Sequence, residues 1–108
     1  MTIDKSVFDE LVEGILDIAG NPVSSIVLFG SVARGTAEEY SDVDIALITN
    51  QPLTVDADDR LTYYNVTMNH KHNKVFSIID IPDSDYKNST LPFYRNVCNE
   101  GVVLWESS

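Results

Sequence analysis

Apolar positions follow two rhythms along this chain. Phe8, Leu11, Ile15 and Ile18 recur at intervals of three and four, with Val7, Val12 and Leu16 beside them. That spacing gathers them on one helical face and predicts a helix over residues 4–19. Thr2 or Asp4 is suited to cap its start, and Gly20 followed by Pro22 ends it. Short continuous apolar runs come next. Ser25-Ile26-Val27-Leu28-Phe29 stops at Gly30, Val43–Thr49 forms a second run, Val75–Ile81 stops at Pro82, and Val102–Trp105 closes the series. Each reads as a strand.

The connecting segments are less uniform. Residues 32–40 are polar and predict one helical turn and a loop, and residues 50–56 form a loop around Pro52. Residues 57–69 fit a helix through Leu61, Tyr64, Val66 and Met68, with Asp58 and Asp59 favourable at its positive end. Thr62, Tyr63, Tyr64, Val66 and Thr67 also favour a strand there. Residues 70–74 predict a turn, and residues 83–91 a loop with a helical turn near Asp85. Pro92–Glu100 predicts a short helix with proline in its first turn and Gly101 behind it. The order predicts a small α/β domain with about four strands and helices against the sheet.

At 108 residues the chain is expected to form a single domain over residues 1–108. Seven basic against seventeen acidic residues give a net charge of -10. That argues against general nucleic-acid binding and against an anionic membrane surface, both of which need a basic footprint. A nucleotide stays compatible, because a metal ion bridges carboxylates to phosphate. The lone cysteine, Cys98, excludes an internal disulfide and fits a reducing cytoplasm. No run approaches the roughly 20 apolar residues that span a bilayer, and no signal-peptide pattern opens the chain.

Candidate chemistry concentrates in residues 25–48. A strand leads into Gly30-Ser31-Val32-Ala33-Arg34-Gly35, and Ser41-Asp42-Val43-Asp44 leads into the next strand. Glycine and serine at a strand end let backbone approach a ligand closely, and Ser31 adds a hydroxyl donor. Asp42 and Asp44 are two apart on an extended segment, so both side chains point to one face. Their mutual repulsion is relieved by a divalent cation. Mg2+ accepts one or two carboxylates together with substrate phosphates.

Gly30-Ser31, Arg34-Gly35 and Ser41-Asp42-Val43-Asp44 resemble the signature of the DNA polymerase beta-like nucleotidyltransferase superfamily. The short length resembles its minimal nucleotidyltransferase (MNT) branch. The resemblance implies a small mixed sheet, an ATP site with Mg2+ or Mn2+, and transfer of a nucleoside monophosphate. It assigns Gly30 and Ser31 to the phosphates and Asp42 and Asp44 to metal. Arg34 would support the loop or the triphosphate, or else pair at the surface with Glu38 or Glu39. The family also includes antitoxins paired with a small helical HEPN protein, some of which adenylylate that partner.

The family's third carboxylate has no plain counterpart. Its expected position, five residues before Pro82, is Ser77, and the only acid in that strand is Asp80. Three residues apart, the two face opposite sides of a regular strand. The motif favours Ser77 as facing the site, with Asp80 as a tentative catalytic stand-in if a bulge shifts the register. Losing a general base costs about 10²–10⁴-fold.

Other residues read more simply. His70 and His72 fit a solvated turn without further metal ligands. Tyr63, Tyr64, Tyr86 and Tyr94 read as packing or surface aromatics. Phe93, Tyr94, Val97 and Cys98 read as buried. Two functions therefore stand: an enzyme moving AMP from ATP to a protein or small-molecule hydroxyl, and a nucleotide-binding module acting by contact. In either case a HEPN-type helical partner is expected, and a homodimer is compatible.

Overall fold

The computed structural model describes residues 3–38, 42–88 and 91–107. Its elements run α1 (Lys5–Ala19), β1 (Val23–Phe29), α2 (Gly30–Arg34), β2 (Val43–Thr49), α3 (Val55–His72), β3 (Phe76–Pro82), α4 (Asp83–Asn88), α5 (Pro92–Glu100) and β4 (Val102–Glu106). The four strands form one sheet in the order β3-β2-β1-β4. β1 is antiparallel to β2 and β4, whereas β2 and β3 are parallel. A parallel pair needs a crossover, and α3 supplies it. The sheet is mixed, as the family resemblance implied.

Alternation along the strands separates two apolar layers. Leu28, Val43, Ile45, Leu47 and Phe76 pack with Leu11, Ile15, Leu61 and Met68 of α1 and α3. Val27, Ala46, Ile48 and Ile81 meet Val97 of α5 on the other face. β2 is buried on both faces along almost its whole length, which explains its unbroken apolar run.

In α1, Leu11 and Ile15 are fully buried, and Gly20 ends the helix at φ 66°. Asp4 takes the capping position without a side-chain bond, and Thr2 lies outside the described residues. Gly14 gives Tyr64 room to cross α1, since a Cβ there would overlap its ring. The Tyr64 hydroxyl donates to the Glu10 carbonyl at 2.8 Å.

Helix prevails over strand in the third apolar segment. The Thr54 hydroxyl accepts from Ala57 N–H at 3.0 Å, and Asn73 closes the helix in the left-handed conformation. α3 therefore runs to His72, into the expected 70–74 turn, and only residues 73–74 turn. Lys71 donates to the Glu10 carboxylate, which also lies 2.9 Å from His72 Nε2. Basic groups at a helix C-terminus are favourable, and these two tie α3 to α1. His72 is thus a packed helical residue instead of a member of a solvated turn. Residues 83–88 form α4, with Asp83 and Asp85 in its first turn and Lys87 3.5 Å from Asp83.

Two burial expectations on α5 are corrected. Phe93 is 49% exposed and Cys98 is exposed, whereas Val97 is buried. A nine-residue helix at the margin of the sheet turns a narrow face inward, and about 100° of rotation per residue carries Cys98 off that face. No helix among the described residues is long and apolar enough to cross a membrane.

Candidate active site

The site grows from the point where β1 ends. Phe29 is extended, and Gly30 turns the chain at φ 75° into α2. L-residues with a side chain avoid that backbone region. A second constraint acts at the same position: a Cβ on Gly30 would occupy the space of the Asp44 carboxylate. The glycine therefore brings the turn and the acid into direct contact. α2 ends at Gly35, also at φ 75°, and Thr36 N–H donates to the Ser31 carbonyl at 2.9 Å. The Gly30-Ser31 and Arg34-Gly35 pairs are thus the two ends of one five-residue helix.

Across the sheet, register aligns Phe29 with Asp44 and Asp44 with Ser77. Directly paired residues share a face, so these three form a row on the α5 side. Asp44 is half-buried and Asp42 is exposed. Burial pushes the Asp44 carboxyl above its usual range, the charge of Asp42 adds to this, and Arg34 opposes it. Two carboxylates with incomplete compensation and hard oxygen donors fit a divalent cation that takes its other ligands from phosphate and water. Among the described residues no three acidic, histidine or cysteine side chains gather as a metal cluster.

Asp80 does not join this group. It pairs with Leu47, on the face covered by α1 and α3. β2 and β3 keep an unbroken register from Val43 and Phe76 onwards, so no bulge turns Asp80 round. Its carboxyl is raised by desolvation and by the neighbouring Asp58 charge. It lines a cavity of about 810 Å³ with Asp58, Thr49 and Pro82, at the end of β2 remote from Asp42 and Asp44. Ser77 places a neutral hydroxyl on the face of Asp44.

Arg34 lies 3.4 Å from Glu100 at the end of α5. It thereby links α2 to α5 while its charge still reaches Asp44. Glu39 and Ser41 lie outside the described residues. One feature of the row has no motif signal of its own. Phe29 carries Phe93 of α5 against it, ring centroids 5.8 Å apart and nearly perpendicular. Its only sequence cue is its place immediately before Gly30.

Residues 13–108 match the family described as polymerase beta, nucleotidyltransferase. The chain belongs to this nucleotidyltransferase family. Two Methanocaldococcus jannaschii proteins named as candidate protein adenylyltransferases are similar. One is 49% identical over 43 residues, which span 40% of this chain and 29% of that protein. The other is 33% identical over 86 residues, 77% of this chain and 79% of that protein. The nucleotidyltransferase fold is also shared with solved structures. A chain from a toxin-antitoxin crystal structure with AMP-PNP aligns with a TM-score of 0.66 and 21% identity, over 97% of this chain and 75% of that one. A chain from the complex of tri-AMPylated Shewanella oneidensis HEPN toxin with MNT antitoxin aligns at 0.65 and 17%, over 97% and 74%.

Proposed function

We propose that this nucleotidyltransferase moves AMP from ATP to a hydroxyl of a protein or small molecule, acting in the cytoplasm as a single minimal domain. The observation that carries the reading is the contact of Asp44 with the Gly30 turn, with the charge of Asp42, just ahead of β2, acting on it. Asp42 and Asp44 would hold Mg2+ or Mn2+. When bound, the ion supplies positive charge against the triphosphate. Gly30 and Ser31 admit phosphate close to the backbone, and Arg34 adds a cation on the same side. The acceptor oxygen attacks the α-phosphorus while its proton passes to water, and the bond between the α- and β-phosphates breaks to release pyrophosphate. Ser77 takes up no proton at neutral pH, so the acceptor receives no carboxylate base from that position.

The second reading is a module that binds the nucleotide and acts by contact with a helical partner. Ser77, where a carboxylate would complete the row, favours it. In both readings we propose a HEPN-type partner, with this chain as antitoxin. The toxin-antitoxin neighbours and the acidic charge support that choice. Incubation with α-labelled ATP and Mg2+, with and without a HEPN-type helical protein, tests the enzyme. Label on the partner that is absent with Asp42→Ala and Asp44→Ala is the expected result. ATP binding without label transfer would overturn catalysis toward that partner and leave the contact reading.

A further inference from the structure

We infer that Phe93 is the seat of the nucleotide base, stacking the planar ring while Asp42, Asp44 and the Gly30 turn hold the phosphates. This rests on the nucleotide reading above and adds a subsite to it. Phe93 is one of two strongly exposed aromatic side chains among the described residues; the other, Tyr63, sits on α3 at the opposite face. Tyr64 spends its hydroxyl on Glu10 and its ring on Gly14. Tyr86 and Tyr94 are partly buried against the Val27 layer.

Position and rigidity both favour Phe93. Its ring meets Phe29 at 5.8 Å and 89°, and Tyr94 at 5.6 Å and 66°. Two edge-to-face contacts fix its orientation before any ligand arrives, so little freedom is lost on binding. Phe29 in turn pairs with Asp44 across the sheet and precedes Gly30. Neighbouring strands lie about 4.8 Å apart, which sets the aromatic pair beside the phosphate end of the site. A nucleotide presents its charged and planar ends in that same sequence, with the ribose between. An apolar ring half in water gains by covering itself with a base. Stacking uses the π-face common to all bases, so this subsite holds the base without choosing among them.

The test measures binding of a non-hydrolysable ATP analogue with Mg2+, and of inorganic triphosphate with Mg2+, by calorimetry. Phe93→Ala is expected to weaken the analogue about tenfold and leave triphosphate unchanged. Phe93→Tyr is expected to bind both as the parent does, and Phe93→Ala is expected to weaken a GTP analogue as much as the ATP analogue. Circular dichroism establishes that each variant is folded. Unchanged analogue binding by folded Phe93→Ala overturns the assignment, including the case where that variant loses a protein partner instead. Equal loss of analogue and triphosphate also overturns it, because the ring would then be propping the phosphate end. A parent chain that binds neither compound would remove the nucleotide reading itself.

Discussion

At residue scale, Gly30 and Asp44 constrain each other. The turn needs a left-handed residue, and the carboxylate fills the space a side chain would take. The result is an acid held where burial and Asp42 both disfavour its charge, with Arg34 compensating in part. A carboxyl raised in the folded state makes the native protein bind the extra proton. Its contribution to stability therefore falls as pH rises through the folded value. Asp44→Asn removes that cost. At pH 7 without divalent cation it is expected to raise the melting temperature, while Mg2+ with ATP raises that of the parent alone. Differential scanning fluorimetry reads both effects. A variant less stable than its parent would show that Asp44 is held by more favourable contacts than its charge cost.

Among elements, the junction of α1 with the end of α3 is held by a specific polar contact. Glu10 receives Lys71 and His72, and Lys71, then His72, holds its carboxyl below the usual range. A depressed acid contributes stability above its unfolded value, and that contribution disappears as pH falls through the folded one. Glu10→Gln is expected to lower stability at pH 7 and to flatten the loss of stability below about pH 4.5, the ordinary range of a glutamate. Urea titrations at several pH values measure this. Parallel pH profiles for parent and variant would assign the acid sensitivity to other carboxylates. The short elements behave differently. α2 is pinned by glycines at both ends, and α5 by Val97 with the Arg34–Glu100 pair, so the site rests on packing between small pieces.

For the molecule as a whole, seventeen acids against seven basic groups make a field of one sign. The ion pairs Lys5–Asp9, Arg34–Glu100 and Lys87–Asp83 are largely exposed and contribute little each. Self-repulsion is then the larger long-range effect, and salt screens it over about 10 Å at 0.1 M. Raising NaCl from 20 to about 300 mM is expected to increase the melting temperature. A decrease would mean that the ion pairs outweigh the repulsion.

The sequence by itself determined most of the elements and marked the candidate segment for chemistry. Periodicity placed α1, β2 and α5 within a residue, because each buries a face whose apolar spacing is local. The Gly-Ser and Asp-x-Asp pattern marked its segment because turn geometry and strand alternation act over a few residues. What lay beyond local spacing needed the tertiary structure. Helix against strand over residues 57–69 was decided by the crossover and by Glu10, which lies 61 residues from Lys71 and 62 from His72 in the chain and meets them only through folding. The placement of Ser77 beside Asp44, with Asp80 on the reverse face, required the pairing register of two strands. The exposure of Phe93 and Cys98 required knowing how much of α5 the sheet covers. Side-chain type and local period are written along the chain, whereas register, facing and exposure arise only when distant segments meet.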